Sequence, residues 1–438
     1  MTTGSVAKNI LYFSLPYFFS YFLQTLYGMA DLFIIGQFEG AASITAVSIG
    51  SQVMHMLTVM IVGLAMGTTV TIAQAVGAED GLRVRKAIGT TAVLFFVVSI
   101  VLAIVLIVLR GSITGVMETP FEAASGTQAY LLICFLGIPL ITAYNIIASI
   151  FRGLGDAKSP MYFVAVACLC NIALDYLFMG ALSMGPAGAA WGTVISQAIS
   201  VVLALAYVKS GRAGILLSRQ DFRPDLAVLR RILRIGVPIS LQDGFIQVAF
   251  LVITVIANMR GLTDAAAVGI VEKVISFIFL VPSSMLSTVS ALGAQNIGAG
   301  KVGRAQQTLR YALAMAVSFG IVVSIVTQYT ADGIVGLFTY DAAVIVAGGA
   351  YLQGYIFAGI HFCFSGYFCA CGRSEISFLH NVVSIVTARI PLVYLTSIWY
   401  PDTLFPMGLA TATGSVVSVI ICIGAFALLR ARGRAAFC

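Results

Sequence analysis

Residues 88–109 read IGTTAVLFFVVSIVLAIVLIVL, with Arg83, Arg85 and Lys86 just before them and Arg110 directly after. A helix rises 1.5 Å per residue, so this uncharged stretch spans the ~30 Å of hydrocarbon in a bilayer. Lipid offers its backbone no hydrogen-bond partners, so the stretch must be helical and satisfy its own N–H and C=O groups. Working outward, polar or basic breaks divide the chain into similar apolar blocks at about 10–35, 44–76, 88–109, 126–150, 160–181 and 186–208. A second set follows at about 235–258, 264–297, 308–330, 344–369, 376–399 and 405–429. The two longest, 44–76 and 264–297, must tilt, kink or protrude. Composition agrees: of 438 residues 60% are hydrophobic and 9% charged, against about 25% charged in a soluble chain. Single soluble cores stop growing near ~250–300 residues, so these runs face lipid. The expected fold is an all-α integral membrane protein of twelve transmembrane helices.

The first apolar stretch, roughly 10–38, is too long for a signal-peptide core and contains Gln24 and Asp31, so it reads as a retained first span. With the N-terminus inside, Lys and Arg fall overwhelmingly on one side. The inner loops carry Lys8, Arg83, Arg85, Lys86, Arg152 and Lys158, then Lys209, Arg212, Arg219, Arg223, Arg230, Arg231 and Arg234. They continue with Lys301, Arg304, Arg310, Arg373, Arg430, Arg432 and Arg434, while the outer loops hold only Arg110 and Arg260. That asymmetry places both termini in the cytoplasm, in a multi-pass protein of the cell inner membrane. The net charge of +7 is therefore topology; spread over separate loops, it gives no support to a nucleic-acid partner. The eight cysteines, Cys438 at the end among them, form no CxxC, and His55, His361 and His380 lack ligand-like spacing. Neither a disulfide framework nor a zinc site is expected.

The halves repeat. Leu15-Pro16 recurs as Val237-Pro238, Ala46-Val47-Ser48-Ile49 as Ala267-Val268-Gly269-Ile270, and Gly137-Ile138 as Gly359-Ile360. Six spans per half is an even number, so both halves enter the membrane in the same sense. Two six-helix lobes related by a pseudo-two-fold along the membrane normal, working by alternating access, is the expected architecture. The lobes are 1–208 and 235–438, joined by a cytoplasmic linker over 209–234. Residues 225–234 put Leu226, Leu229 and Leu233 on one face, which suits either an amphipathic surface helix or a solvated linker.

Four acids lie within spans: Asp31, Asp175, Asp243 and Glu272. An ionised carboxylate in lipid is expensive, so each faces protein or water, or carries a proton. Asp175 sits four residues after Asn171, on the same helix face. Thr193 follows the small-residue run Gly188-Ala189-Ala190-Trp191-Gly192, which lets helices approach closely. With Asp31 these supply oxygen ligands alone, a set that suits Na⁺ or, on a protonated carboxylate, H⁺; the bland reading is a hydrogen-bonded polar seam. Glu272 and Lys273 point about 100° apart on a helix, whereas Asp243, Lys273 and Arg389 could form a charge-compensated group. Pro16 can kink the span that carries Asp31.

Pro16, Gln24 and Asp31, followed by Ile35-Gly36 and Ala46-Val47, resemble the opening of the multidrug and toxic compound extrusion (MATE) family. So do Arg152-Gly153-Leu154-Gly155-Asp156, Asn171-x-x-x-Asp175, Gly185-Pro186-x-Gly188-Ala189-Ala190-x-x-Thr193 and Arg389-Ile390-Pro391. The resemblance covers essentially the whole chain. It implies an antiporter, not an enzyme, that exports cationic or amphipathic drugs and toxic organic compounds in exchange for H⁺ or Na⁺. In the DinF-like prokaryotic branch, coupling is attributed to a cluster matching Asp31, Asn171, Asp175 and Thr193, which would also be the Na⁺ ligands, with a fourth-span tyrosine matching Tyr130. The other bacterial branch uses acids in the seventh and tenth spans; here the tenth has none and Gln247 stands near the seventh-span position. Gln24, Asp243, Gln247, Glu272 and Lys273 are candidate cavity residues. No cofactor beyond the coupling ion is implied, and the partners are the bilayer and a small organic substrate, handled by a monomer. A lipid-linked-precursor flippase is the rival within transport, but it would want more cations inside than Lys273 and Arg389. An intramembrane enzyme would want an Asp-rich metal motif, a Ser/His pair or HExxH, none of which occurs.

Overall fold

The computed structural model describes residues 1–211, 214, 217–357 and 359–431. Arg212, Arg432, Arg434 and Cys438, counted above, lie outside the described residues. The first six spans are α1 (Val6–Phe38), α2 (Ala41–Gly77), α3 (Gly81–Val116), α4 (Phe121–Leu154), α5 (Lys158–Asp175) and α6 (Gly185–Lys209). A π-helical stretch, Tyr176–Ala181, extends α5. Then come α7 (Leu226–Met259), α8 (Leu262–Ile278), α9 (Leu280–Gly298) and α10 (Val302–Gly336). The chain ends with α11 (Ala342–Gly354), α12 (Ile360–Ala370), α13 (Ser374–Ser384), α14 (Ile390–Trp399) and α15 (Phe405–Ala431), a second π-helical stretch, Ile385–Arg389, joining α13 to α14. Among the described residues, eleven helical runs are long and apolar enough to cross a membrane. The long block 264–297 is α8 and α9, which meet at Phe279 beside Pro282. The tenth block is the shorter pair α11 and α12.

Why the tenth block breaks is visible in the repeat. Ala129-Tyr130-Leu131 and Gly137-Ile138 in α4 recur as Ala350-Tyr351-Leu352 and Gly359-Ile360, with one more residue between them in the second copy. One extra residue cannot be absorbed by an α-helical ladder without a bulge or a break. Here the chain leaves the helix at Tyr355–Phe357, where Ser324 Oγ accepts from the Phe357 N–H at 3.2 Å.

The chain divides into two compact units: Leu15–Ser240, and Met1–Ser14 together with the residues from Leu241 onward. Both α1 and α7 change unit, each within two residues of its internal proline, Pro16 and Pro238. The expected linker helix is absent as a separate element, because α7 runs unbroken from Leu226. Its first turns bury Ile232 and Ile235, half-bury Leu229 and Leu233 and leave Leu226 exposed, so the buried face is rotated from the leucine face read from sequence. The reason is a close crossing with α2: a Cβ on Gly67 would strike the Ile232 carbonyl, and one on Gly236 the Leu64 carbonyl. Ahead of α7, Ser218 and Asp221 form a reciprocal capping box. Asp221 lies 3.8 Å from Arg85 and Asp225 3.8 Å from Lys86, which clips this segment to the start of α3.

In lipid, leaving water does not drive helix association, so van der Waals packing must hold each unit. In the first, Ile34, Ile35, Val47, Leu131, Phe135 and Ile138 pack together; in the second, Val268, Val271, Val335, Leu352, Val393 and Met407 do. Arg260 staples the second unit at its loops: it meets Asp264 at 2.6 Å and donates to the carbonyls of Ser397 (2.6 Å) and Pro401 (2.8 Å). Cys134, Cys168, Cys170, Cys363, Cys369 and Cys422 are free.

Candidate functional site

In the first unit, Asp31 from α1, Asn171 and Asp175 from the last turn of α5, and Thr193 from α6 converge. Thr193 Oγ1 donates to Asp31 Oδ2 at 3.2 Å, and the Asp31 carboxyl has Asp175 and Asn171 as further side-chain neighbours. Asp31, Asn171 and Asp175 are buried, at 2%, 0% and 0% exposure. Asp31 Oδ1, both Asp175 oxygens and both polar atoms of the Asn171 side chain have no hydrogen-bond partner. The small-residue run on α6 explains the approach: a Cβ on Gly192 would collide with Asp175 Oδ1 and sit 3.6 Å from Asn171 Nδ2. The π-helical turns begin at the residue after Asp175, and such wide turns recur at functional sites because they re-aim the preceding side chains.

Two carboxylates side by side in a low-dielectric interior cannot both stay charged and unpaired. No lysine or arginine pairs with either among the described residues. Such a site needs a positive charge from outside the chain, and its ligands are oxygens: two carboxylates, one amide and one hydroxyl. A proton or a hard cation fits that chemistry.

Among the described residues, Tyr130 makes no hydrogen bond to this cluster but lies close enough for the Asp31 charge to act on it. It is 2% exposed among α4 neighbours, and its hydroxyl pairs with Ser51 Oγ at 3.3 Å. Pro16 lies inside an uninterrupted α1, its carbonyl taken by Ser20 Oγ at 2.8 Å. Gln24, one of the cavity candidates, is half-buried on α1. Sequence reading missed Tyr27 and Gln197, which are joined at 3.3 Å. Tyr27 is one turn before Asp31 and Gln197 one turn after Thr193, so the i, i+4 spacing could have found both. It also missed Arg152, counted above as a loop cation. Arg152 is 4% exposed at the C-terminal turn of α4, with its guanidinium 4.1 Å from the Tyr17 ring centroid and 5.9 Å from that of Tyr21. The helix C-terminus and the two ring faces favour a cation there.

The second unit does not assemble the charge group expected of it. Asp243, Lys273 and Arg389 form no ion pair among the described residues. Lys273 is exposed while its neighbour Glu272 turns inward, as adjacent helix positions must. Glu272 Oε2 accepts from Thr254 at 3.2 Å, and Arg389 Nη2 donates to the Tyr355 hydroxyl at 3.0 Å. Gln247 is half-buried on α7, near Gln242, which accepts from Ser377 at 2.7 Å. His361 and His380, distant in sequence, bring their rings to 6.2 Å, and His380 Nε2 lies 2.9 Å from Ser365 Oγ. Among the described residues, no group of three metal-ligating side chains forms around them.

The repeat shows what differs. The residue as far past Pro238 as Asp31 is past Pro16 is Ile253, and Val393-Tyr394-Leu395 stands where the first copy has Asp175-Tyr176-Leu177, with Arg389 in the place of Asn171. Pro186-x-Gly188 leads to Thr193 as Pro406-x-Gly408 leads to Thr413. Thr413 turns back on its own helix, its Oγ1 donating to the Ala410 carbonyl at 2.6 Å.

A family model described as MatE matches residues 16–177 and 238–395, so its two matches begin at the paired prolines. The chain is 28% identical over 403 residues to the probable multidrug resistance protein YpnP of Bacillus subtilis, covering 91% of this chain and 90% of that one. It is 24% identical over 398 residues to the probable multidrug resistance protein NorM of Thermotoga maritima, covering 89% and 85%. A structure of a multidrug resistance MATE family transporter in an outward-facing conformation matches with a TM-score of 0.88 at 22% identity, covering 98% of this chain and 96% of that one. A crystal structure of MATE in complex with MaL6 matches at 0.89 and 22% identity, covering 98% and 97%.

Proposed function

Because the chain belongs to the MatE family, whose members are multi-pass membrane transporters, we propose that it is a secondary antiporter exporting cationic or amphipathic organic compounds in exchange for H⁺ or Na⁺. The observation that carries the reading is the pair Asp31 and Asp175, buried together with unpartnered oxygens and no cationic side chain beside them. An outside cation completes that pair. Thr193 fixes one face of Asp31, Asn171 offers either a donor or an acceptor, and Gly192 lets Asp175 reach the cluster. The ion must bind more tightly to the substrate-released state than to the substrate-bound one; without that difference nothing is coupled. Both termini face the cytoplasm in this reading, the transport unit is a monomer, and Pro16 is the bend through which α1 responds to ion binding.

The relatives' names support drugs as the cargo. Proteoliposomes loaded with a cationic dye and given a pH gradient or a sodium gradient, each alone, test the proposal. The gradient that drives wild-type efflux names the ion, and Asp31→Asn protein should not respond to it. Wild-type rates in that variant would end the reading.

A further inference from the structure

The end of the first unit where α3 and α7 start carries more positive charge than its own acids pair. The 3₁₀ turn Arg219–Phe222 and the residues up to α7 form a strap against α3, where the uncharged run of that helix begins. A Cβ on Gly89 would strike the Asp221 carbonyl, and the Asp225 N–H donates to Thr90 Oγ1 at 3.1 Å. The strap thus sits at the depth where bilayer hydrocarbon gives way to headgroups. Both of its acids are engaged, Asp221 by Arg85 and Asp225 by Lys86. Asp225 Oδ1 also caps α7, accepting from the N–H groups of Ala227 and Val228 at 2.9 and 3.2 Å. Arg219, Arg223 and Arg230 are exposed, and none of the three has an ion pair among the described residues.

Apolar side chains share the patch: Leu82, Phe222 and Leu226 are all exposed. Large apolar residues among cations suit a membrane boundary, where the former enter the acyl region and the latter stay with the headgroups. The start of α10 in the second unit makes the contrast. There Lys301 Nζ donates to the Thr2 carbonyl at 3.0 Å and Arg304 Nη2 to the Thr3 carbonyl at 2.8 Å, so the chain itself uses both cations. The three strap arginines stay open to their surroundings.

We propose that the strap and the first turns of α7 form a binding surface for an anionic phospholipid of the leaflet that meets this end. The phosphodiester accepts paired N–H groups from the guanidiniums, a geometry that arginine offers and lysine does not. The acyl chains lie along Leu82, Phe222 and Leu226. A zwitterionic lipid fits less well, because the three positive charges repel its choline group. Bound there, the lipid holds the strap from the membrane side as Arg85 and Lys86 hold it to α3. In the orientation proposed above this is the cytoplasmic leaflet, but lipid binding does not depend on that orientation.

Brominated lipids quench tryptophan only on contact, so a single tryptophan reports which lipid lies beside it. The background is full-length protein without its native tryptophans, Trp191→Phe and Trp399→Phe. Phe222→Trp reads the strap. Leu379→Trp is the comparison, at an exposed position near the start of α13, where Arg373 already pairs with Glu375 at 3.5 Å. Each protein is placed in phosphatidylcholine nanodiscs containing either brominated phosphatidylglycerol or brominated phosphatidylcholine. At position 222 the anionic lipid should compete about tenfold better than the zwitterionic one, the size expected of a few interfacial cations; at position 379 the two should compete equally. Arg219→Gln, Arg223→Gln and Arg230→Gln together should bring the ratio at 222 down to that at 379, the three lysine substitutions should retain part of it, and high salt should shrink it. If Phe222→Trp does not elute as a single folded species, Leu226→Trp is read in its place. Equal competition at 222, a preference no larger than at 379, or one that survives the triple glutamine variant would overturn the surface.

Discussion

In the N-terminal unit two carboxylates, Asp31 and Asp175, lie together with no base beside them; the matching positions of the C-terminal unit are Ile253 and Val393, both buried. The C-terminal unit keeps its acid elsewhere. Glu272 stands where the first copy has Ser51, five residues after the alanine of Ala-Val, and it shares its surroundings with Arg389. Two copies of one scaffold have thus diverged in charge balance. One requires a cation from solution, and the other carries its own counter-charge. We propose that this difference, more than the number of acids, sets which unit couples an ion gradient to transport.

Six substitutions and one pH series break or sharpen the contrast. The largest effect belongs to the acids: Asp31→Asn or Asp175→Asn should lower gradient-driven efflux about a hundredfold, read as dye efflux from vesicles at matched protein content. Next, Ile253→Asp moves an acid to the matching place in the C-terminal unit without the partners that Asp31 has. An uncompensated buried carboxylate should destabilise by about 3–5 kcal/mol and add no second coupling ion, measured as a fall in thermal midpoint and an unchanged ion stoichiometry. Arg260→Ala should cost about 2–3 kcal/mol, since it removes charge-assisted hydrogen bonds to the α14–α15 loop. Hydrogen exchange should then rise around 397–403 and not in the first unit.

Gly192→Ala is subtler. Alanine is the better helix former by ~1 kcal/mol, so the fold should hold. The new Cβ displaces Asp175, and half-maximal transport should need about tenfold more coupling ion. The smallest effect is at the clip before α7. There the Ser218 backbone N–H, with the Ser218 hydroxyl and Arg85 adding to it, holds the Asp221 carboxyl below its ordinary value. A depressed carboxylate contributes stability that is fully present above about pH 4 and is lost as pH falls through the lower folded value. Exchange at 218–222 should accordingly rise under acid before the spans respond, and Asp221→Asn should remove that pH dependence.

Much of this was legible in the chain because lipid leaves few solutions. Apolar runs closed by cations could only be spanning helices, and Asn171-x-x-x-Asp175 had to share a face. The run before Thr193 announced a close helix contact, though not that Gly192 is the residue Asp175 leans on. Tyr130 was a different matter: its pairing with Ser51 depends on how α2 and α4 meet, which spacing within one helix cannot disclose. Leu226, Leu229 and Leu233 formed a plausible apolar face, yet Gly67 and Gly236 set the rotation of α7 and buried the isoleucines. The break after Gly354 could have been read from the extra residue between the repeated motifs. The burial of Arg152 could not, because a basic residue at a helix end looks like any loop cation until Tyr17 and Tyr21 are folded over it.

The most direct measurement follows the ion itself. Purified protein in weakly buffered nanodiscs is titrated with a cationic substrate while a pH dye and a sodium electrode record what is released. Substrate binding should expel one proton or one Na⁺ from wild type and from Glu272→Gln, and none from Asp31→Asn. Release that persists in Asp31→Asn but vanishes in Glu272→Gln would contradict the claim, because the exchangeable cation would then reside in the C-terminal unit.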